Sequence, residues 1–387
     1  MKPSLSAHRL LSPLVPLYRL ALACREFQLR SGLKSVRRLR FPVVSIGNLS
    51  TGGSGKTPFT IGLAKLLTGR GLRVDVLSRG YGRQSELAAQ VNPDGIAADF
   101  GDEPLLIARE AGVPVFVAPQ RYNAGRLAEQ SFADKGRGLV GQGISSDTKP
   151  AESTKTSETA EKGPLVSGHD FSRAKNAERS VGALAPERCV HLLDDGFQHR
   201  QLARDVDILL LDRRDWQGSL LPAGNLREPR AAIRRASVIA IPADEPELEA
   251  ELRAWGWQGP VWRLRRAMEI PSVSGPIAAF CGIARPEQFF AGLEAGGLRL
   301  AARTAFPDHF TYTRADLEEL LTKAREKGAT VIVTTEKDLT RLGKLASVFP
   351  GSMPLTTARL SIEIEEENAA LDWLVDRLTP ESPHPPL

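Results

Sequence analysis

A glycine-rich stretch that ends in a lysine and a threonine is the first part of the sequence whose residue types and spacing suggest chemistry. It reads STGGSGKT over residues 50–57 and directly follows the branched apolar run 42–46. In a turn between a strand and a helix, backbone N–H groups and the positive helix end can cradle phosphates. The lysine of such a turn reaches the outer phosphates, and the hydroxyl binds Mg²⁺. We therefore predict a nucleotide-binding loop that consists of Ser50, Thr51, Gly52, Gly53, Ser54, Gly55, Lys56 and Thr57.

This loop departs from the strict phosphate-loop pattern at one position. The pattern G-x-x-x-x-G-K-[ST] places a glycine at position 50, where the chain has Ser50. Two hydrolase classes also fit poorly: switch-type ATPases often carry a second lysine at the position of Thr51, and TEKD at 335–338 has the wrong spacing for a guanine reader. A plain glycine turn is the alternative, but such a turn rarely requires Lys56 and Thr57.

Two adjacent carboxylates end another apolar run, in VHLLDDGFQHRQL at 190–202. In phosphate-loop folds the acid at the end of such a strand holds Mg²⁺ directly or through water. Asp194 and Asp195 are therefore candidate metal ligands, and Gln198 and His199 are close enough in sequence to line the same pocket. A capped turn around Asp194 is the alternative. Two acids at a buried strand end favour a cation, because unpaired buried charge is costly.

An aspartate and a histidine are candidates for handling a proton. Asp102 stands before a predicted helix in GDEP, and His309 stands in FPDHF. An aspartate supported by a histidine suits the orientation or deprotonation of an alcohol that accepts a phosphoryl group. Helix capping is the alternative for Asp102, and a structural role is the alternative for His309.

Two loops with arginines complete the set of candidate residues. SRGYGR presents Arg79 and Arg83, whose planar guanidinium groups suit phosphate or carboxylate. LPAGNLREP adds Arg227 and Glu228 after a predicted strand. Ligands of α/β sheets bind in the crevice beyond such strand ends.

Composition and charge exclude several classes of protein. The 387 residues are 42% hydrophobic, which provides proper cores and excludes a disordered chain. The three cysteines, Cys24, Cys189 and Cys281, lie far apart without CxxC spacing, which favours a reducing environment and no structural zinc. Residues 1–40 carry nine Lys/Arg and one Glu, a net +8, although the whole chain is only +5. We therefore expect a local anionic partner and no nucleic acid.

The first forty residues, 1–40, contain the apolar stretch LLSPLVPLYRLALAC, which two prolines and an arginine interrupt. It is shorter than the roughly 20 residues that cross a bilayer, and its Arg-rich continuation does not fit a secretory signal. In a helix from Leu17, one face would contain Leu17, Leu20, Ala21, Cys24 and Phe27. The pattern fits an amphipathic, basic membrane-associating segment, or alternatively an amphipathic helix that packs on the core.

Branched apolar runs alternate with helical patterns over residues 41–245, which predicts an α/β fold with a doubly wound, P-loop NTPase-like sheet. Strands are expected at 42–46, 73–77, 113–117, 190–193, 208–211 and 238–241, and helices at 57–67 and from 104. The polar, low-complexity stretch 136–180 is predicted to be a flexible insertion. A linker at 246–275 and a smaller α/β domain at 276–387 follow. This domain is expected to have strands at 277–280 and 330–334, and helices at 286–293, 314–326 and 368–378.

A resemblance rests on eight stretches that occur in this order: GNLSTGGSGKTP, LSRGYGR, GDEP, LDDGFQHRQLARDVDILLLD, LLPAGNLREP, AFCGIARPEQFF, FPDHFTYT and VTTEKD. They resemble the tetraacyldisaccharide 4'-kinases, the lipid A 4'-kinases of Gram-negative bacteria, over nearly the whole chain. The resemblance implies transfer of the ATP γ-phosphoryl group to the 4'-hydroxyl of a tetraacyl glucosamine disaccharide 1-phosphate. Ser50 is in keeping with the family, whereas the polar insertion is not part of the shared pattern.

The resemblance also implies roles for individual residues. Asp102 would be the base or hydroxyl-orienting residue, with His309 assisting. Lys56 and Thr57 would serve phosphate and Mg²⁺. The metal and the phosphates would be surrounded by Asp194, Asp195, Gln198, His199 and Glu228.

The implied substrate bears on location, because four acyl chains cannot leave a bilayer cheaply at about 0.8 kcal/mol per exposed CH₂. This favours the membrane interpretation of the first forty residues. We expect a peripheral protein at the cytoplasmic face of the inner membrane, whose partners are the lipid A disaccharide 1-phosphate precursor and the anionic membrane surface. No obligatory protein partner is expected.

Overall fold

In a computed structural model of the protein, the structure describes residues 11–141 and 188–378. These residues contain the strands β1 Val43–Asn48, β2 Arg73–Ser78, β3 Ala89–Gln90, β4 Val115–Val117, β5 Cys189–Asp194, β6 Val206–Leu210, β7 Val238–Pro242, β8 Val261–Glu269, β9 Ile277–Cys281, β10 Leu300–Ala305, β11 Val331–Thr335 and β12 Leu355–Ile364. All twelve join one sheet in the order β10-β9-β11-β12-β8-β7-β6-β1-β5-β2-β4-β3.

Neighbouring strands of this sheet are parallel except in two pairs, β8 with β12 and β3 with β4. The prediction of an α/β fold with a mainly parallel sheet is therefore confirmed. Strand β1 lies between β5 and β6 and runs parallel to both. The loops that follow these three strands consequently leave the same edge of the sheet, where α/β folds bind ligands.

Helices connect the strands, and most of those predicted are present within one or two residues at each end. They are α1 Val15–Arg30, α2 Lys56–Gly69, α3 Ala97–Phe100, α4 Asp102–Ala111, α5 Arg121–Gly141, α6 Arg213–Trp216, α7 Pro246–Ala254, α8 Pro286–Ala295, α9 Arg314–Glu326, α10 Glu336–Leu342 and α11 Glu367–Leu378. Short 3₁₀ segments occur at Ser12–Leu14, Arg230–Arg235 and Gly343–Val348.

The central strands are buried on both faces, as branched apolar runs in a parallel sheet require. Every residue of β1 is buried. On one face, Leu63 and Leu67 of α2 pack in the same apolar cluster as Leu371 and Leu374 of α11. The last helix of the chain therefore covers the same core as the helix that follows the glycine-rich loop.

This packing corrects the predicted boundary at residue 276, because β12 and α11 share the core of the first half instead of forming a wholly separate domain. Ile362 and Ile364 of β12 belong to the same cluster as Val44 of β1. The segment 246–275, predicted as a linker, contains helix α7 and strand β8. Strand β8 pairs with both β7 and β12, so it continues the sheet from one half of the chain to the other.

The predicted insertion at 136–180 falls mostly outside the described residues. Its first six residues, 136–141, belong to helix α5. The described residues fall into two compact units, one of residues 11–130 and 188–378 and another to which residues 131–141 belong. All residues discussed below lie in the first unit.

Candidate active site

The glycine-rich loop connects β1 to α2 and has the backbone conformation that its glycines permit. Gly52 and Gly55 adopt φ values of 125° and 82°, which residues with a Cβ rarely adopt. A Cβ on Gly55 would also lie 2.8 Å from Ile362 Cδ1. The loop is therefore a narrow backbone turn that only glycine can form at these two positions.

Ser50, at the position where the strict pattern has glycine, is buried and fixed by side chains. Its Oγ donates to Asp215 Oδ2 over 2.8 Å and accepts from Asn48 Nδ2 over 3.1 Å. The Thr51 amide donates to the carbonyl of Asn225 over 2.8 Å. Ser50 and Thr51 thus connect the start of the loop to the segment that follows β6. The hydrogen bond from Ser50 to Asp215 explains why a hydroxyl occupies the position where glycine is usual.

The loop has the features of a phosphate cradle. Within the described residues, Ser54 Oγ is buried without a hydrogen-bond partner, and buried polar atoms normally have one. Helix α2 begins directly after Gly55, so its first N–H groups face the loop. Ala284 lies on the other side, 3.4 Å from the position that a Cβ on Gly53 would take. A bound phosphate would supply the acceptors that these donors lack.

Lys56 points back to the end of β1. Its Nζ donates to Asn48 Oδ1 over 3.0 Å and lies 3.4 Å from Asp195 Oδ1. Arg227 forms a two-pronged ion pair with Asp195, with both N···O distances at 2.9 Å, and also donates to Asn48 Oδ1 over 2.5 Å. Three predicted residues are therefore in mutual contact around Asn48, a residue that the sequence analysis did not single out.

The two adjacent aspartates have opposite electrostatic surroundings. Burial raises the pKa of Asp194 to about 7, and the charges of Glu103 and Asp195 act in the same direction. Burial would also raise the pKa of Asp195, but the charge of Lys56 and the hydrogen bonds from Arg227 hold it well below its usual range. Asp195 is therefore ionised and paired, whereas Asp194 is a buried acid that forms no ion pair with a cation among residues 11–141 and 188–378.

These surroundings suit a divalent cation at Asp194. Mg²⁺ prefers oxygen ligands and is usually held by one or two carboxylates together with substrate phosphates and waters. Asp194 accepts only a 3.3 Å hydrogen bond from Ser78 Oγ among the contacts resolved for its side chain, and Thr57 at the first turn of α2 offers a half-buried hydroxyl. The donor set therefore fits Mg²⁺, and the added positive charge would keep Asp194 ionised.

Glu228 does not join these carboxylates, contrary to the prediction. Its side chain forms an ion pair with Arg235, whose guanidinium lies over the ring of Phe197. In the part of the chain that the structure describes, no group of three or more His, Cys, Asp or Glu side chains could hold a metal ion. Glu228 lies apart from the aspartates because adjacent side chains point in different directions: Arg227 pairs with Asp195, whereas Glu228 pairs with Arg235.

Cationic side chains crowd the region between β2 and β5. The charge of Arg79 acts on both His199 and Arg121, and Arg121, at the start of α5, is buried near Asp194 and Asp195. Burial, together with the charges of Arg121 and Arg204, lowers the pKa of His199 to about 4. His199 is consequently neutral at pH 7. Arg121 is a second residue that the sequence analysis missed.

Gln198 and Arg83 complete the predicted set. Gln198 Nε2 donates to the carbonyl of Asn48 over 2.8 Å, which links the loop after β5 to the end of β1. Both Nη atoms of Arg83 are buried and have no hydrogen-bond partner among the described residues. Its aliphatic stem covers Gly80, where a Cβ would lie 2.6 Å from Arg83 Cδ.

Asp102 and His309, 207 residues apart in sequence, are in contact. His309 Nδ1 lies 3.0 Å from Asp102 Oδ2, and its ring lies 5.6 Å, centroid to centroid, from that of Tyr81. His309 adopts a left-handed backbone conformation with φ of 58°, which is uncommon for a residue with a side chain and often marks functional sites. Asp102 is the first residue of α4 and is buried.

Two cations from the C-terminal half face the start of α4. Arg341 Nε donates to Asp102 Oδ2 over 2.7 Å, and Lys337 Nζ donates to Glu103 Oε1 over 2.8 Å. Burial alone would raise the pKa of Asp102, but the hydrogen bond with His309 and the charges of Lys337 and Arg341 hold it far below its usual range. Lys337 lies in the quoted stretch VTTEKD, whereas no sequence signal pointed to Arg341.

Helix α1 packs beside these loops and leaves its predicted apolar face open. Tyr18 Oη donates to the carbonyl of Arg227 over 2.8 Å, and Arg25 donates to the carbonyl of Gln198. On the opposite side, Leu17, Leu20, Ala21, Cys24 and Phe27 are all exposed. None of the described helices combines the length and apolar character that crossing a membrane requires.

Comparisons with known proteins show the family to which the chain belongs. Residues 7–379 match the family model described as tetraacyldisaccharide-1-P 4'-kinase. The chain belongs to this family. The tetraacyldisaccharide 4'-kinase of Koribacter versatilis is 38% identical over 376 residues, which cover 94% of this chain and 98% of that protein. That of Anaeromyxobacter dehalogenans strain 2CP-C is 35% identical over 374 residues, 90% of this chain and 84% of that protein.

A solved structure supports the same assignment for this kinase. LpxK from Aquifex aeolicus, crystallised as an "apo" form in complex with ATP, is 28% identical to this chain, and the TM-score is 0.66. The match covers 96% of this chain and 100% of that one. The family resemblance inferred from the sequence is therefore confirmed, as is the prediction that the chain is an enzyme of the kinase class.

Proposed function

We propose that this family member transfers the γ-phosphoryl group of ATP to the 4'-hydroxyl of a tetraacyl glucosamine disaccharide 1-phosphate in lipid A biosynthesis. The observation that carries the proposal is the pairing of Asp102 with His309 at the start of α4, a helix that packs against α2, together with the loop before α2, whose Lys56 contacts Asp195. A phosphoryl transfer to an alcohol needs both parts, a cradle for the phosphates and a group that orients or deprotonates the hydroxyl.

The phosphate side of the reaction rests on the loop and its cations. Backbone N–H groups of residues 52–57 would hold the β- and γ-phosphates, and Lys56 would bind between the two. To do so, the Lys56 ammonium group would move from Asn48 and Asp195 toward the nucleotide. Arg227 and Arg121 lie close enough to the aspartates to neutralise charge that develops on the transferred group.

Thr57, Asp194 and Asp195 would hold Mg²⁺, with Asp194 the main ligand since Arg227 and Lys56 already engage Asp195. The ion would neutralise charge on the phosphates. Asp194 must be ionised for this role, so the rate should fall as Asp194 becomes protonated.

The hydroxyl side of the reaction rests on Asp102 and His309. The 4'-oxygen attacks the γ-phosphorus, its proton passes to the Asp102–His309 pair, and the bond from the γ-phosphorus to the bridging oxygen breaks, which releases ADP. Asp102 is held ionised by its neighbours and can orient the hydroxyl or the imidazole. The pair lies at the start of α4, where the positive helix end favours a carboxylate.

The exposed face of α1 would bring the enzyme to its substrate. Its apolar side chains would enter the interfacial region of the bilayer, and basic residues of the first forty positions would contact anionic headgroups. The opposite face of α1 bonds to Arg227 and Gln198 in the candidate site. We therefore place the protein peripherally at the cytoplasmic face of the inner membrane, where ATP is available.

The proposal is tested by incubating the protein with γ-labelled ATP and the disaccharide 1-phosphate lipid in mixed micelles. Label should appear in the lipid with wild-type protein and be nearly absent with Lys56→Ala. Release of labelled inorganic phosphate without labelled lipid would show a nucleotide hydrolase instead and would refute the proposal.

A further inference from the structure

Arg341 connects the C-terminal half of the chain to the Asp102–His309 pair. Its side chain is 7% exposed. While Nε donates to Asp102 Oδ2, Nη1 donates to the carbonyl of Gly282 over 2.5 Å and to Asp338 Oδ1 over 2.9 Å. One guanidinium group thus bonds to three different segments, which its rigid planar fork allows and a lysine would not.

The anchor of Arg341 is itself firmly held. Asp338 is completely buried and also accepts hydrogen bonds from Tyr312 Oη over 2.8 Å and from the Gly282 amide over 3.0 Å. A Cβ on Gly282 would lie 2.9 Å from Tyr312 Oη and 3.1 Å from Asp338 Oδ1. The position of the Arg341 guanidinium is therefore set by packed surroundings and not by contact with Asp102 alone.

The carboxylate of Asp102 has a donor on each oxygen. Oδ1 accepts from the amide of Glu103 over 2.9 Å, and Oδ2 accepts from Arg341 Nε while it faces His309 Nδ1. Arg341 and His309 share one oxygen, so rotation of the carboxylate away from Arg341 would also break its bond to the imidazole. The arginine consequently fixes the plane in which Asp102 holds His309.

We infer that Arg341 is a positioning residue for phosphoryl transfer, which acts by fixing the Asp102 carboxylate against His309. The inference rests on the proposed function. In this role Arg341 touches neither nucleotide nor lipid, and its effect falls on turnover and not on binding. A purely structural ion pair between α10 and α4 is the competing explanation.

The chain offers a matched control for that explanation. Arg359, on β12, also reaches α4: it pairs with Glu110 over 3.0 Å and with Glu336 of α10 over 2.7 Å. It joins the same elements as Arg341 but lies at the other end of α4 from Asp102. Arg359→Gln should therefore remove a more exposed link between the same elements and leave the Asp102–His309 pair intact, and thermal unfolding reports any difference in stability.

Two substitutions separate geometry from charge. Arg341→Lys keeps a cation but loses the fork, so kcat should fall about tenfold or more while the KM values for Mg-ATP and lipid stay within about threefold, because small misplacement of a reacting group is costly. Arg341→Met removes the charge as well, and kcat should fall on the order of 100-fold.

The experiment measures kcat and KM for labelled-lipid formation, ATP binding and thermal unfolding for the wild type and the three variants. Reduced kcat in both Arg341 variants with ATP binding retained, together with Arg359→Gln within about twofold of wild type, supports the inference. Arg341 variants that match Arg359→Gln in kcat overturn it, and so does a change confined to KM. If Arg341→Met fails to fold, Arg341→Lys alone decides.

Failure of the inference is distinguishable from failure of the proposed function. If wild-type protein labels no lipid, the proposed function is wrong. If the wild type labels lipid and Asp102→Asn does not, but both Arg341 variants are as active as wild type, the proposed function stands and only the role of Arg341 is refuted.

Discussion

Replacing Leu17, Leu20 and Phe27 by serine removes most of the apolar surface that α1 presents to solvent. These residues are 65%, 59% and 66% exposed. Full burial of a leucine or phenylalanine side chain contributes about 1.5–3 kcal/mol, so the exposed parts of all three contribute roughly 3–5 kcal/mol on entering a bilayer interface. Since 1.4 kcal/mol corresponds to a tenfold change, the triple variant should partition onto vesicles at least about 100-fold more weakly.

The assay is sedimentation with vesicles that contain anionic phospholipid, at fixed ionic strength. The matched control replaces Ile96, Leu339 and Leu360, three exposed apolar residues on other elements, by serine. The α1 variant should fold, because the face of α1 that packs on the core, through Val15, Tyr18 and Leu22, is unchanged, and the control should fold because its three residues are exposed. Equal vesicle binding by the two variants would refute the assignment of α1 as the membrane contact.

Three further predictions concern the loop, the pair and a buried ion pair. Gly55→Ala should abolish ATP binding measured by calorimetry, because its Cβ would clash with Ile362 and its φ is 82°. Gly53→Ala should bind ATP within about tenfold of wild type, because its Cβ would lie 3.4 Å from Ala284. Equal affinities of the two variants would contradict the proposed turn. Asp102→Asn should lower kcat at least about 100-fold with ATP affinity unchanged, and a wild-type rate would rule out its role. Burial would lower the pKa of His191, but the Asp75 carboxylate, 2.8 Å away, raises it to about 9. The charge on His191 stabilises the fold fully below pH 6.5, as long as Asp75, whose pKa burial raises, stays ionised, and this effect is lost as the pH rises through about 9. The difference in unfolding free energy between wild type and His191→Phe should therefore shrink from pH 6.5 to 9, and a difference independent of pH would contradict the assignment.

The parts of the fold and site that could be predicted share one property, which is that their signals are local. The branched run before the glycine-rich loop and the run before Asp194 and Asp195 each identify a buried strand and the ligand-binding end that follows it. Strand β8 was not predicted, because its segment was interpreted as part of a linker. In its sequence, VWRLRRAME, apolar residues alternate with arginines, since only one face of the strand packs on the core. Helix α11 was recognised, but its packing partner was not, because amphipathicity shows which face is buried and not against what.

The parts of the site that could not be predicted depend on pairing across long sequence distances. The family resemblance implied that Glu228 lies beside the metal, yet Glu228 pairs with Arg235, which lies on a separate 3₁₀ segment. Arg341 reaches Asp102 from 239 residues away. No spacing rule connects residues so far apart, whereas the resemblance to a family did connect Asp102 with His309.

A co-crystal structure with Mg²⁺ and a non-hydrolysable ATP analogue would show the proposed site itself. We expect the β- and γ-phosphates to lie on the backbone of residues 52–57 beside Lys56 Nζ, with Mg²⁺ on Asp194 and the γ-phosphorus facing Asp102 and His309. An analogue bound away from Lys56, or a γ-phosphorus with Asp102 on the far side of the sheet edge, would contradict it.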